Sequence, residues 1–526
     1  MMARHSCVVL ALLLLLVEVS RFGEGASNPG FVARITRTGL DYARQYGVAT
    51  LTRELSTMSL PDFSGKFKAG LLGNVHYDFY RLRLQHFDIR NLDLSLLPGH
   101  GLKATLSNNL SVSGKWKVKK GIVKLEGTFD LRVDGIFISV SLNLGKNPSG
   151  RPTASMTHCN SSIHHVDIDI SGNLSWILNL FNEKIANKFK AIMQQKICKY
   201  VEESITSHLN PYLQTLPVTL MIDEVAGIDY SLIDAPQVTS QGLDTPFKGE
   251  FFSRSRRSPV PFDAPAMEIP QEHDRMVYFA VSEYVFNTAS LMYHQAGRMN
   301  FTLREEHIEQ LRNQSTISRL RGQLSNPSCQ TSKSTSLLRV LSCFSSSSLL
   351  ILLQTPLDSM LHLHTNSFRA VVPRLARLYP NMKMELEGSP ESAPVLMFSP
   401  GNVNFMPVVT IQAFVLLPNS LERKPLFQLR ASTNVSATIN VASSRITGSV
   451  NPGSQLKLEL KHSNVGHFNV QLMEAFFNYY ATHTIYPILN AKLEKGFPLP
   501  LPRDTFLNSL VLQIHKNFLL LGANID

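Results

Sequence analysis

The stretch Gly127–Leu144 reads GTFDLRVDGIFISVSLNL, and its period decides the fold class. Apolar residues alternate with polar ones, first at Phe129, Leu131 and Val133, then at Ile136, Ile138, Val140, Leu142 and Leu144. A period of two turns one face of an extended strand toward a core and the other toward water. The apolar parity switches at Gly135, where one extra residue at a glycine is what a β-bulge produces. A long strand with such a bend predicts a strongly curved, barrel-like sheet.

On the N-terminal side the period changes. Val32, Ile35, Gly39, Tyr42, Tyr46 and Ala49 recur at helical spacing, with Arg34, Arg37, Asp41 and Arg44 between them. The pattern predicts an amphipathic helix running through Leu51, Leu55 and Met58 to Leu60-Pro61-Asp62, where proline removes a backbone donor and disfavours a helical residue before it. On the C-terminal side, Leu178, Phe181, Ile185, Phe189 and Ile192 form the stripe of a second long helix from Trp176 to about Leu209, with Asn210-Pro211 as its predicted end.

Between Ala235 and Pro270 six prolines interrupt regular structure, which predicts a linker over residues 235–270. From His273 the order of elements starts again, with a strand over Met276–Val281, a helix over Tyr284–Ala296 and strands through Ser436–Leu460. A chain of 526 residues exceeds what one core organises, so two related domains are expected, 27–234 and 271–526. Residues 309–357 are out of character, serine-rich and without period, and read as a disordered insertion or a faulty gene model.

Met1–Arg4, the apolar run Val8–Val17 and Gly25-Ala26 read as a signal peptide over residues 1–26. The apolar run is too short to cross about 30 Å of hydrocarbon. The chain is therefore expected to be secreted and extracellular. Cys159, Cys198, Cys329 and Cys343 then share a compartment that permits disulfides, in any of three connectivities. Sequons at Asn109, Asn160, Asn173, Asn300, Asn313 and Asn434 are candidate glycosylation sites.

A formal net charge of +11 points to an anionic partner. The densest basic cluster is Lys115, Lys117, Lys119, Lys120 and Lys124, five lysines without an acid between them. In a strand Lys115, Lys117 and Lys119 share one face while Trp116 and Val118 take the other, and Lys120-Gly121 suits a hairpin turn. A basic face backed by an apolar one matches a phosphorylated lipid; the plain alternative is a solvated hairpin whose lysines blunt aggregation. The mix of aromatic and basic residues also fits single-stranded nucleic acid, a partner not expected outside the cell.

There is no Gly-x-Ser-x-Gly elbow, no His-Glu-x-x-His helix and no phosphate-cradling glycine loop, so an enzyme is not expected. His164-His165 and His362-x-His364 are isolated pairs and predict no metal site. Arg254-Ser255-Arg256-Arg257 in the linker looks like a proprotein-convertase site, or else a plain exposed basic stretch.

Asn28-Pro29-Gly30, Gly39–Ala43, Leu60-Pro61-Asp62, Gly114–Lys117, Pro211-Tyr212, Thr215–Val218 and His273–Tyr278 stand in collinear order with Leu458–Asn464, Lys495–Pro500 and Asn517–Leu520. Together they resemble the family of bactericidal permeability-increasing and lipopolysaccharide-binding proteins, over residues 28–525 apart from 309–357. The resemblance implies an α+β fold: an elongated boomerang of two pseudo-twofold-related domains, each a barrel with a long helix, joined by a central antiparallel sheet. It implies an apolar pocket for phospholipid acyl chains in each domain, no other cofactor, and a Cys159–Cys198 disulfide.

It also implies a basic tip on the N-terminal domain that binds lipid A of lipopolysaccharide, to which Lys66, Lys68, Lys146, Arg151 and Arg53 would add to the five lysines. The expected partners are lipopolysaccharide, phospholipid, the bacterial outer membrane surface and a host lipopolysaccharide receptor. The expected role is antibacterial innate immunity against Gram-negative bacteria, with granule storage as one possible location. The alternative is extracellular lipid transfer without lipopolysaccharide specificity.

Overall fold

The computed structural model describes residues 28–56, 62–68, 73–120, 123–172, 182–307, 309, 362–418, 422–442, 445–498 and 507–525. The insertion over 309–357 therefore lies almost wholly outside the described residues, as do the signal segment, Asn173 and Asn313.

The N-terminal half is built on one antiparallel sheet in the order β2-β3-β4-β5-β6. Its strands are β2 (Phe63–Lys68), β3 (Asn74–Leu97), β4 (Gly101–Lys120), β5 (Val123–Lys146) and β6 (Pro152–Gly172). Four of these exceed ordinary strand length several-fold, at 24, 20, 24 and 21 residues. Strands so long cannot stay flat, because each carries a right-handed twist. The bend comes from bulges. Gly135 has φ of 65°, drops out of the pairing between Asp134↔His165 and Ile136↔Ile163, and gives its N–H to Asn109 Oδ1 at 2.9 Å. Register also shifts in β3 after Tyr80, Leu84 and Ile89, so the sheet curls along its whole length.

Two helices lie on the sheet. Helix α1 (Arg37–Ser56) packs on β3, and α2 (Asn182–Ser204) packs on β6 with Ile185 and Phe189 in the core. The Cys159–Cys198 disulfide joins β6 to α2, in keeping with the family resemblance.

The first helix begins later than its periodicity predicts. Phe31–Thr36 is strand β1, in which Val32, Arg34 and Thr36 are buried in alternation. Hydrogen bonding on both sides overrides the helical spacing of Val32 and Ile35: β1 pairs with Gly242–Phe247 and with Val277–Ser282. The second helix ends later than predicted. Asn210-Pro211 does not stop it; a π turn over Ile205–Leu209, closed by the Asn210 N–H on the Ile205 carbonyl, leads without a break into α3 (Asn210–Thr215), with Pro211 in its first turn.

The proline-rich stretch also holds more regular structure than a linker. Gln237–Val238, Gly242–Phe247 and Glu250–Ser253 are strands, and the second of these is the partner of β1. Pro246 is tolerated because its missing donor falls on the side away from β1, where the strand Gln237–Val238 pairs only at Leu243 and Asp244 and the Pro246 carbonyl alone is used, accepting the Ile233 N–H at 3.2 Å.

The C-terminal half repeats the plan with different sheets. Val277–Ser282 runs straight into α4 (Glu283–Gln295), as β1 runs into α1. Ser282 caps α4 by accepting the Tyr284 N–H. Two five-stranded sheets follow in place of one long sheet. The closing helix again carries a π turn, Ala481–Ile485, followed by a first-turn proline, Pro487. A six-stranded central sheet joins the halves, with β1 and Val277–Ser282 as antiparallel neighbours at its middle. The α+β class, the two related halves and the joining sheet are those the sequence led us to expect.

Candidate functional site

The register of the long sheet sorts the lysines. Lys66 of β2 lies opposite His76 of β3, His76 opposite Lys119 of β4, and Lys119 opposite Lys124 of β5. Directly opposed residues project to one face, so these four form a row across four strands near the end of the sheet. Lys66, Lys119 and Lys124 are exposed, and among the described residues no acid forms an ion pair with them. One row inward the pattern is Asp78, Lys117 and Glu126. Lys117 is 3.6 Å from Asp78 and its ammonium lies 5.1 Å from the centre of the Tyr80 ring. Lys117 is thus locally neutralised. Lys115 is exposed beside Tyr80 and Thr128.

The opposite face at this end is solid. Trp116 is fully buried, and its indole N–H donates to the carbonyls of Thr128 and Ser171 at 3.1 and 3.0 Å. Tyr77, Phe79, Val112, Phe129, Leu131, Val133, Ile168 and Ile170 close round it. Burial pushes the Tyr77 phenol up from its ordinary value. Gly127 belongs to this packing: a Cβ there would sit 2.1 Å from the Ser171 carbonyl and 2.8 Å from the indole nitrogen. Trp116 is therefore a core residue beneath the lysines, unavailable to a headgroup.

Further along the same strands the inner face opens. Leu94, Leu96, Leu102, Leu106, Leu142 and Leu144 share that face by register and are only half-buried, while Leu92 and Val140 on it are buried and Ile138 packs against the closed core. Helix α1 covers one flank, leaving a hollow of about 350 Å³ lined by Arg44, Gln45, Val48 and residues 89–92. Helix α2, tied down by Cys198, covers the other, with Ser161 Oγ donating to the Gln194 carbonyl at 2.9 Å. Asn108, 3% exposed, stands between the solid and open parts, and its Oδ1 has no partner among the described residues.

Not all the predicted basic residues gather at one place. Lys68 closes β2 and Lys120 closes β4, both at the end that carries the lysine row. Lys146 and Arg151 do not join them: they flank the β5–β6 turn at the other end of a 24-residue strand, roughly 75 Å of contour from Lys124. In an antiparallel sheet successive turns alternate between ends, which is why residues close to the cluster in sequence spacing fall far from it. Arg151 serves the fold instead, donating to the Leu216 carbonyl at 3.1 Å and to Ser149 Oγ at 2.9 Å. Arg53 lies in the last turn of α1. His76 and Asp78 were missed from sequence, because their place among the lysines depends on strand pairing.

The matches to known proteins cover both halves. Residues 39–212 match the N-terminal domain of the LBP / BPI / CETP family, and residues 220–327 and 340–526 match its C-terminal domain. The chain belongs to this family. It is 46% identical over 515 residues to lipopolysaccharide-binding protein of Bos taurus, covering 97% of each chain. It is 35% identical over 515 residues to bactericidal permeability-increasing protein of Rattus norvegicus, covering 98% of this chain and 97% of that one. The crystal structure of lipopolysaccharide binding protein superposes with a TM-score of 0.53 at 42% identity, covering 95% of this chain and 99% of that one. The C-terminal family match breaks at residues 328–339, within the serine-rich stretch.

His164 and His165 line a polar hollow of about 330 Å³ with Glu183 and Lys190 between β6 and α2. His362 has a carboxylate beside it, Glu305 at 2.6 Å, and the His362 and His364 rings are 6.1 Å apart. Among the described residues no helix is long and apolar enough to cross a membrane.

Proposed function

We propose that this member of the family is a secreted, innate-immune lipopolysaccharide-binding protein whose N-terminal domain has two separate lipid-binding places, roughly 45 Å of strand contour apart. The phosphorylated head is drawn to the row Lys66, Lys119 and Lys124, with Lys115 on the same face and Lys68 and Lys120 at the same ends of β2 and β4. Phospholipid acyl chains are sheltered on the half-buried leucine face between α1 and α2. The observation that carries this reading is the acid-free lysine row on one face of strands whose other face is apolar and incompletely covered. Near-full-length similarity to a protein named for lipopolysaccharide binding supports it over lipid transfer without that specificity.

The energetics divide the roles. Each lysine near an anionic lipid surface contributes about 1 kcal/mol, whereas each acyl CH₂ removed from water contributes about 0.8 kcal/mol. A buried chain of a dozen carbons therefore dominates affinity at the apolar face, whereas at the lysine row charge selects the phosphorylated head and speeds encounter. The outer membrane surface is the natural meeting place, and delivery to a host receptor falls to the C-terminal half. Nothing in this role calls for catalysis or a metal. The test is mass spectrometry of lipids that copurify with the secreted protein, beside binding to lipopolysaccharide and to neutral phospholipid. A protein that carries no lipid and binds both ligands equally weakly would end the proposal.

A further inference from the structure

The stretch Arg254-Ser255-Arg256-Arg257 has no part in the site above. It follows the strand Glu250–Ser253, and from Arg254 to Met276 the chain forms neither helix nor strand. All four residues are exposed, as are Ser258 and Pro259. The Arg254 N–H bonds to the Val225 carbonyl at 3.0 Å, but among the described residues the amides of 255–263 make no main-chain hydrogen bond. Pro259 also biases Ser258 toward an extended conformation.

We propose that the Arg257–Ser258 peptide bond is a processing site for a secretory serine endoprotease of the class that reads arginines at the first and fourth positions before the cut through acidic pockets. The cut is a hydrolysis. Water adds across the C–N bond, leaving the Arg257 carboxylate and the Ser258 ammonium, and needs no other reactant. Both recognition arginines are lightly held. The Arg254 guanidinium donates to the Asp223 carbonyl at 2.8 Å. Arg257 is 3.4 Å from Asp229, lies 4.1 Å over the Phe252 ring, and is still 59% exposed. These contacts must be given up when the stretch enters a protease cleft, and an ion pair with so exposed an arginine opposes that only weakly.

Cleavage here cuts the main chain between the halves without undoing what joins them. Strand β1 stays paired to Val277–Ser282, the Phe251 N–H stays bonded to Thr288 Oγ1 at 3.1 Å, and Tyr284 Oη stays bonded to Glu250 at 2.5 Å. The single described disulfide lies within the N-terminal half and does not tie the halves covalently. The processed protein is therefore two chains that travel together under native conditions and part in detergent without reduction.

The full-length secreted protein, incubated with a purified convertase of this specificity, is expected to yield two fragments in a non-reducing detergent gel, with Ser258 as the new N-terminus. Arg254→Gln and Arg257→Gln each abolish the cut. Asp229→Asn, which frees Arg257 and leaves the motif intact, accelerates it. Intact protein under conditions that cleave a free peptide of residues 250–262 would overturn the site, and so would cleavage that persists in Arg257→Gln. Separation of the fragments in native gel filtration would overturn the claim that they remain joined.

Discussion

Two regions of one sheet have the same strands and the same alternation but opposite states of packing. At the lysine end the inner face is closed round Trp116, Phe79, Phe129 and Leu131, each at most 1% exposed. Toward the central sheet, Leu102, Leu106 and Leu142 repeat the alternation and stay half-buried, with Val140 buried among them, because α1 and α2 lie on the flanking strands and leave part of the middle open. An apolar alternation therefore marks a face that avoids water, without saying whether protein or ligand completes it. The closed end is rigid support for the lysine row; the open end is where an acyl chain has something to gain.

The largest effect should come from the closed end. Trp116→Ala removes a wholly buried indole and leaves two carbonyls without their donor, and should cost about 3–5 kcal/mol in urea unfolding. Leu106→Ala, in the open region, should cost well under half of that; equal losses would mean the two regions are packed alike. Next is the disulfide. Replacing Cys159 and Cys198 with serine opens a loop with a sequence separation of 39 and should lower stability by about 4 kcal/mol, read by thermal or urea unfolding without reductant.

The lysine row should govern headgroup binding. Lys66, Lys119 and Lys124 changed together to glutamine should weaken binding to anionic vesicles by about 3 kcal/mol at low salt, with a shallower salt dependence. Lys117→Gln alone should weaken it less than any one of those, since Asp78 already neutralises Lys117. A larger loss from Lys117 would show that the row inferred from register is not the binding face. The smallest stability effect is expected where space remains. Leu142→Phe should alter stability by less than about 1 kcal/mol yet reduce copurifying lipid, whereas Val133→Phe, on the closed part of the same strand, should cost about 1–3 kcal/mol.

The long strand, its bulge at Gly135, the second helix and the two-domain plan were all legible in the residues, because periodicity, glycine and chain length act locally or in bulk. The first helix was misread over Val32 and Ile35, where spacing alone could not reveal that strands more than two hundred residues away pair on both sides of β1. Pro211 was misread for a related reason: a π turn changes the hydrogen-bond register, so proline need not end the helix. Of the basic residues, the run Lys115–Lys124 was correctly placed on one hairpin, whereas Lys146 and Arg151 were set beside it when the fold sends them to the far end.

Composition and alternation by themselves determined a basic, two-faced β-structure, since burial of apolar side chains on alternate positions is written residue by residue. Tertiary structure decided which lysines stand in one acid-free row, which lysine is neutralised by Asp78, and where along one uniform apolar face the protein fills its own interior. Those outcomes depend on strand register and on where two helices rest, and both are set by contacts between residues far apart in the chain.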